Sequence, residues 1–564
     1  MIAVYIDNDL NKFRNEIQYT FNFIFNTLGY EFKFIKRLDQ LLENDILFFY
    51  GLIEPTIKEA YILALNKIIF FIPADVDLLQ LGMLKKEKIK EYTHELKLIQ
   101  KIPIISKKEF RCPVHYYQKE DLFYGLYNFD VIGNIFFNLI GYDEINCAVR
   151  DRYNRVPDSE ISLPDYHLTP YINVILWLIE RCIKDSIEEK KTYFLLKKDY
   201  WPNAESFAVV ISHNVDRLQK WSLSSIIKSI FEDILVFYKV KYVINNLISK
   251  IKYILTNIEE YWNFELIDEI ENHHMISSTF FFGTESESAL DIDYSIKDND
   301  VYKEVMNNLN KGNEIALLGS YNSCKNDILE RQKNRICQIT GEDKIGIRHN
   351  FNRFDPQITT EFHKKNGFIY DSSRGFNKKI GFKYGIGFPY HLFSLNGNSK
   401  AYNNKYLEVP LVFSDETLKL SRTKNVPYEK AKILVDEIIE SIESVNGVIT
   451  FNFSVSNFTD ISYNKDLFSF ILDNIKPKNV FQGTFIEIAN WWRKRDSVEV
   501  EEKEDEISVY FPENMERITV SLIGNYEILE VEGSKPEIKS AKLLFSNIKA
   551  DTMVRIRLKK INID

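Results

Sequence analysis

A cluster of polar residues that could carry chemistry follows directly after the apolar run Phe207-Ala208-Val209-Val210-Ile211. The cluster reads Ser212-His213-Asn214-Val215-Asp216, so that an imidazole, an amide and a carboxylate lie close together in the chain. Buried parallel strands are continuous apolar runs, and α/β proteins place their chemistry at the carboxyl ends of such strands. These residues are therefore candidates for a site, although an ordinary exit from a strand into a loop has the same pattern.

Similar strand ends recur further along the chain, where short β-type runs alternate with helical stretches. Polar residues close three of these runs, at Gly319-Ser320-Tyr321, Arg348-His349-Asn350 and Asp371-Ser372-Ser373. Strand–helix units at this spacing imply parallel strands. We therefore predict an α/β barrel over residues 205–497, with the candidate residues at the ends of its strands.

Three further parts of the chain differ from this pattern. Residues 1–150 alternate strands and helices and predict a mixed α/β domain. Residues 151–204 combine a charged connection with an amphipathic helix, and we interpret them as a linker and a helix. Residues 498–564 contain several short β-type runs, which predict a small all-β domain.

A helical insertion is predicted over residues 217–266, and its first part is basic. Between Arg217 and Leu255 there are seven basic and two acidic residues, a net charge of +5 in a chain whose total is −9. Such an amphipathic segment could lie on an anionic membrane, or bind a protein partner or an acidic glycan. A helical cap that packs on the barrel with its lysines outward is the alternative.

Composition excludes some classes of protein and favours one compartment. The net charge of −9 argues against a general nucleic-acid binder, which would need a basic surface. The five cysteines are irregularly spaced and include no CxxC pair, which favours reduced thiols. The N-terminus lacks the features of a signal peptide, and no apolar run reaches the roughly 20 residues of a membrane span. We expect a cytoplasmic protein, which the basic segment could hold at the inner face of the membrane.

Six strand-end segments, taken in order, resemble the NodB-like polysaccharide deacetylases, in the branch whose first motif usually reads His-Asp-Val-Asp. The segments are SHNVD, STFFF, NEIALLGSYNS, GIRHNFNRFD, GFIYDSS and LEVPLVFSDETL. Two earlier segments, FFNLIGYDEI and DRYNRVPDS, look like the domain that often precedes that branch. The resemblance covers most of residues 1–495 and implies a distorted (β/α) barrel with a metal site at the strand ends.

The activity that this resemblance implies is the metal-dependent N-deacetylation of an acetylated polysaccharide or oligosaccharide. A divalent metal, commonly zinc, polarises the acetyl carbonyl and acidifies a water, a carboxylate takes its proton, and a histidine protonates the departing amine. The implied metal ligands are His213, Asp216 and His349. The positions of the catalytic groups are Asn214, Arg348 and Asp371, and we assign Tyr321, Asn350, Tyr390 and His391 to the substrate cleft.

Three positions depart from the family pattern. Asn214 stands where the family has its base aspartate, and an amide cannot accept a proton at neutral pH. Leu318 stands where a metal-binding histidine is usual, and Ser454 aligns with the histidine that acts as the acid. Two simpler roles also remain open, because Asp216 could cap a helix and His213 could be a core histidine.

Three hypotheses follow from this pattern. The first is a catalytically degenerate deacetylase-like protein of cell-surface glycan metabolism that binds a glycan or a partner without turnover. The second is a working hydrolase in which His213, Asp216 and His349 hold the metal and Asp371 or Asp415 is the base. The third is a membrane-surface or assembly scaffold built on residues 217–255.

Overall fold

The computed structural model describes most of the chain, and all structural statements refer to those residues. They are residues 1–42, 45–54, 68–80, 90–97, 100–119, 122–161, 166–191, 193–221, 226, 229, 240–325, 328–395, 406–421, 424–459, 462–503 and 506–561. The first half of the predicted helical insertion, at residues 222–239, therefore lies almost entirely outside the described part.

The N-terminal region builds a six-stranded sheet. The strands of this region are β1 (Ile2–Ile6), β2 (Phe32–Ile35), β3 (Ile46–Gly51), β4 (Ile68–Pro73), β5 (Lys90–Lys97), β6 (Gln100–Ser106), β7 (Val114–Lys119) and β8 (Leu122–Tyr127). β5 and β6 form a separate hairpin, and the other six strands form the sheet. The sheet order is β2-β1-β3-β4-β8-β7, and only β7 runs antiparallel to its neighbour. β3 and β4 are apolar throughout because both faces of the sheet are covered.

Helices pack against this sheet and continue beyond residue 150. They are α1 (Arg14–Leu28), α2 (Val76–Leu79), α3 (Val131–Leu139), α4 (Tyr142–Asn146) and α5 (Tyr171–Lys190). The hydroxyl of Tyr116 on β7 donates to Sγ of Cys182 on α5, at 3.0 Å. The helix in residues 151–204 thus packs on the N-terminal sheet, and the strand β9 (Phe194–Lys198) follows it.

The central region forms a sheet of nine parallel strands. They are β10 (Phe207–Val215), β11 (Thr279–Phe282), β12 (Glu314–Gly319), β13 (Ile347–His349), β14 (Tyr370–Asp371), β15 (Leu407–Glu408), β16 (Phe413–Ser414), β19 (Val448–Asn452) and β20 (Val480–Gln482). The order is β15-β14-β13-β12-β11-β10-β19-β16, with β20 also paired to β10. The ladder stays open between β15 and β16, so the predicted barrel is a parallel half-barrel. A small antiparallel pair, β17 (Lys419–Ser421) and β18 (Lys424–Asn425), lies beyond β16.

Eight helices belong to the described part of the central region. They are α6 (Val240–Thr256), α7 (Phe264–His274), α8 (Asn299–Asn310), α9 (Ile328–Thr340), α10 (Thr359–Lys365), α11 (Tyr428–Glu443), α12 (Asn464–Ile475) and α13 (Phe485–Ser497). α13 begins with a capping box between Thr484 and Glu487. Across the described parts of the chain, no helix combines the length and apolarity that a bilayer crossing needs.

The C-terminal region forms two antiparallel four-stranded sheets. Its strands are β21 (Glu499–Lys503), β22 (Glu506–Phe511), β23 (Met515–Gly524), β24 (Tyr526–Glu532), β25 (Glu537–Lys539), β26 (Lys542–Ile548) and β27 (Thr552–Lys560). One sheet has the order β21-β22-β27-β24 and the other β25-β26-β23-β9. The second sheet therefore needs β9, which pairs with β23 from Lys198 opposite Val520 to Phe194 opposite Gly524. The all-β unit thus begins earlier in the chain than residue 498.

A fully buried arginine joins the three regions. Arg495 on α13 donates to the carbonyl oxygens of Asn26 and Thr27 at the end of α1, at 2.9 Å each. It also donates to the carbonyl oxygens of Lys198 and Asp199, at 3.1 and 2.8 Å. Gly29 allows this approach, because a Cβ there would lie 2.2 Å from the carbonyl oxygen of Lys198.

We predict that Arg495→Ala lowers the free energy of unfolding by about 3 kcal/mol, because four buried carbonyl oxygens lose their donor. Urea unfolding followed by circular dichroism measures this loss. Arg493→Ala on the same helix is the matched control, because Arg493 is partly exposed and makes an ion pair with Glu513. Equal destabilisation by the two substitutions would contradict the role of Arg495.

Candidate functional site

A buried guanidinium lies beneath the strand ends of the central sheet. Arg348 on β13 is 0% exposed, and its Nη1 donates to Ser212 Oγ at 3.1 Å, Asn214 Oδ1 at 3.0 Å and Asn452 Oδ1 at 2.6 Å. Its Nε and Nη2 donate to the carbonyl oxygen and the hydroxyl of Ser372, at 3.0 and 3.1 Å. Burial lowers the pKa of Arg348 to about 9. The hydrogen-bond acceptors of this cation among the described residues are all neutral oxygens, not carboxylates.

Asn214 contacts this arginine, Asp216 directly follows the same strand, and both are half-buried. The hydrogen bond from Arg348 fixes Oδ1 of Asn214 inward. Within the described residues, Nδ2 of Asn214 has no acceptor, so it is a donor at the strand end. Asp216 accepts from the hydroxyl of Ser456 at 3.3 Å, and burial, with the charge of Glu416, raises its pKa to about 6. The pair presents an amide donor and a carboxylate acceptor.

His213 points to the opposite side of β10, because successive side chains of a strand alternate. The side chain is fully buried, and Nδ1 lies 3.0 Å from the carbonyl oxygen of Phe453. Nε2 lies 2.9 Å from Oε1 of Glu271 on α7. The rings of Phe280 and Phe468 pack against the imidazole, with centroids 4.9 and 5.6 Å away. His213 is therefore a hydrogen-bonded core histidine.

His349 also turns away from Asp216, into a buried chain of hydrogen bonds. Nε2 of His349 lies 2.8 Å from Nε2 of His363, and Nδ1 of His363 lies 2.7 Å from the hydroxyl of Tyr406. Nδ1 of His349 lies 3.3 Å from Oγ of Ser323. Burial lowers the pKa of His349 to about 3 and that of His363 well below its usual range. Both imidazoles are neutral at physiological pH.

These positions do not fit a zinc ion. Both ring nitrogens of His213 and of His349 already have partners in the core, so Asp216 alone of the three predicted ligands faces the strand ends. Leu318 is buried and offers no lone pair. Within the described residues, no group of three or more His, Cys, Asp or Glu side chains could hold a metal. The structure thus does not assemble the metal site that the resemblance implies, because strand alternation separates its residues.

Asp371 is paired with a second carboxyl group that the sequence did not suggest. Asp371 on β14 lies opposite Glu408 on β15, and both are 0% exposed. Burial raises the pKa of Asp371 to about 6, and burial together with the charge of Asp371 raises that of Glu408 well above its usual range. Asp371 Oδ1 accepts from Ser373 Oγ at 2.6 Å. A buried carboxyl in this pair is poorly placed to act as the catalytic base.

Asp415, the alternative base, directly follows β16, whereas Asp216 directly follows β10, at the same edge of the parallel sheet. Its Oδ2 accepts from the side-chain amides of Asn457 and Asn464, both at 2.9 Å, whereas Oδ1 has no partner among the described residues. Burial, with the charge of Glu416, raises the pKa of Asp415 to about 8. Asp415 is therefore protonated at neutral pH and suits an acid better than a base.

The four residues assigned to the substrate cleft occupy two different places. Tyr321 and Asn350 are half-buried near the strand ends, and the Arg353 guanidinium lies 3.9 Å from the Tyr321 ring centroid. Tyr390 and His391 instead face the N-terminal region. The hydroxyl of Tyr390 accepts from Arg374 at 2.8 Å, and the carbonyl oxygen of His391 accepts from Tyr19 on α1 at 2.7 Å.

Sequence reasoning missed three of the partners that fix this site, namely Asn452, Glu271 and Glu408. Asn452 alternates with apolar residues in Val448-Ile449-Thr450-Phe451-Asn452, a pattern that marks it as a side chain on one face of a strand. Glu271 carries no comparable signal, because it lies on a helix 58 residues after His213 in the chain.

Comparisons with known proteins give distant likenesses. A protein-family sequence model described as "Family of unknown function (DUF7033)" matches residues 5–188. A Mycobacterium smegmatis protein assigned as a polysaccharide deacetylase matches with TM-score 0.33 and 15% identity, over 52% of this chain and 92% of its own. A Pseudomonas aeruginosa PAO1 protein with the same assignment gives 0.33 and 10%, over 52% and 93%. Agd3, a carbohydrate deacetylase, gives 0.34 and 8%, over 99% and 98%. No curated protein matches, and at this distance none of these likenesses fixes the function of the chain.

We predict that the neutral histidine pair makes the protein less stable in acid. A histidine whose pKa is lower in the folded than in the unfolded state contributes its full stability above about pH 6.5, and this is lost as the pH falls towards the folded value. A variant with His349→Gln and His363→Gln should therefore lose less stability than the wild type between pH 6.5 and 4. His349 alone accounts for up to about 3 kcal/mol of that difference, measured by urea unfolding at each pH.

The matched control for this prediction is His273→Gln, because His273 is exposed. The control should keep the wild-type dependence of stability on pH. The buried carboxyls act in the opposite direction, so each variant is compared with the wild type at the same pH. A double variant with the wild-type dependence would contradict the prediction.

Proposed function

We propose that the strand ends of the central region form a carbohydrate site of the polysaccharide-deacetylase type, which binds an N-acetylated sugar without hydrolysing its amide. The hydrogen bond from Arg348 Nη1 to Asn214 Oδ1, at 3.0 Å, carries this proposal. It fixes an amide at the position where the resembling family has a base, and it sets the direction in which that amide donates.

The site presents groups that complement an acetamido substituent. Such a substituent has one carbonyl acceptor and one N–H donor. Nδ2 of Asn214 can donate to the carbonyl oxygen, and the carboxylate of Asp216 can accept from the N–H. Both side chains are half-buried, so a ligand can reach them while part of their surroundings remains dry.

The same residues do not supply the steps of hydrolysis. Asn214 cannot take a proton from water, and Arg348 beside it remains a cation at neutral pH because its pKa is about 9. His213 and His349 are hydrogen-bonded within the core, so neither is placed to protonate a leaving amine. Binding without turnover is the function that these positions favour.

A working hydrolase is the second candidate, and the raised pKa values of Asp216 and Asp415 at the strand ends favour it. Asp216, with a pKa of about 6, could accept a proton, and Asp415, with a pKa of about 8, could donate one. Carboxyl groups with separated pKa values are typical of acid–base catalysis. This mechanism would need no base at position 214.

We predict that Asn214→Leu lowers the affinity for N-acetylglucosamine oligomers about 10-fold, because the sugar carbonyl loses its donor. Asp216→Ala should have a similar effect, and isothermal titration calorimetry measures both. Asn479→Leu is the matched control, because Asn479 is exposed and immediately precedes β20, at the opposite end of the sheet. Unchanged affinity in both site variants would contradict the proposed site.

Acetate release separates the two candidate functions. The wild type should release no acetate from N-acetylated oligosaccharides above the background rate. If the wild type does release acetate, and Asp216→Asn abolishes that release, the hydrolase replaces the binding protein as the function of this site.

A further inference from the structure

Helix α6 exposes a continuous apolar face. Its 17 residues include seven aliphatic side chains that lie on one stripe. These residues, which we call the α6 apolar face, are Val240, Ile244, Leu247, Ile248, Ile251, Ile254 and Leu255. Their exposed fractions run from 48% at Ile251 to 77% at Leu255, and Ile258 just beyond the helix is 55% exposed. Contiguous apolar patches of this kind on a protein surface mark a site of interaction.

The opposite face of α6 is polar and packs against the protein. Asn246 and Lys250 are both only 4% exposed. Nδ2 of Asn246 donates to Ser229 Oγ at 2.9 Å, and Ser249 Oγ accepts from Trp221 Nε1 at 2.8 Å. A surface helix normally turns its apolar stripe inward and its polar residues outward, so α6 has the reverse orientation.

We propose that α6 docks on an anionic lipid bilayer, with the α6 apolar face inserted at the boundary between headgroups and acyl chains. A helix of this length measures about 25 Å, at 1.5 Å per residue, and lies in the plane of the interface. The composition of the face favours lipid over a protein partner. All seven of its residues are aliphatic, whereas protein interfaces depend on Trp, Tyr and Arg anchors.

The charge of helix α6 favours an anionic lipid surface over a neutral one. Helix α6 has three lysines and no acidic residue, and one of them, Lys252, next to Ile251 on the helix, is exposed. An anionic bilayer attracts such a segment. A second copy of the chain is disfavoured on this face, because two copies of a helix with lysines and no acidic residue would repel each other. This inference does not depend on the carbohydrate site.

Co-sedimentation of the full chain with vesicles tests the proposal. The wild type should bind vesicles of phosphatidylglycerol and phosphatidylcholine, and added salt should weaken the binding. A variant with Ile244→Gln, Leu247→Gln, Ile248→Gln and Ile251→Gln should bind about 100-fold more weakly, because four apolar side chains no longer enter the bilayer. All four side chains are exposed, so the folded structure should tolerate these changes, and circular dichroism checks it.

The matched control carries Ile433→Gln, Leu529→Gln and Ile538→Gln, three aliphatic residues elsewhere that are 47 to 57% exposed. It should bind the anionic vesicles as the wild type does. The proposal is overturned if the wild type does not bind them, or if the variant with four substitutions binds as tightly as the wild type. Equal binding to pure phosphatidylcholine would overturn the preference for an anionic surface. Light scattering that shows a wild-type dimer, lost in that variant without vesicle binding by either protein, would assign the face to a second copy.

Discussion

A buried cation dictates the composition of the central sheet around its strand ends. An unpaired charge in a dry interior is very costly, so Arg348 requires oxygen acceptors on every side. The structure supplies Ser212, Asn214, Asn452 and Ser372 from three different strands or strand exits. Because these acceptors are neutral, no carboxylate among the described residues accepts a hydrogen bond from the guanidinium. Replacing any of them with an apolar residue would remove an acceptor from the buried guanidinium.

The strands of the central region could be predicted from the sequence because each is an apolar run closed by polar residues. Which of their side chains lie together on one face of the sheet could not be predicted in this way. His213 and Asn214 are adjacent in the chain, yet they face the helices and the sheet interior respectively, because strand side chains alternate. A motif read as one cluster is therefore divided between two environments. The pairing of Asp371 with Glu408 depends on strand register, which local sequence does not specify.

The structure of the helical insertion could likewise be predicted only in part from the sequence. Periodicity in the sequence identifies the apolar stripe of α6, and the basic residues around it suggest a membrane or a partner. Periodicity does not say which side of the helix meets the protein. The contacts of Asn246 and Ser249 with Ser229 and Trp221 decide that question. An ordinary cap with its lysines outward would have had an identical pattern.

The pairing of β9 with β23 has a consequence for synthesis. Lys198 and Val520 are neighbours in one sheet, but 321 residues of the chain lie between them. On the ribosome, β9 emerges long before its partner, and so it must wait as an unpaired edge while the whole central region is made. Exposed edges of this kind are prone to aggregation. The final strands of the protein therefore complete a unit that the chain begins near its first third.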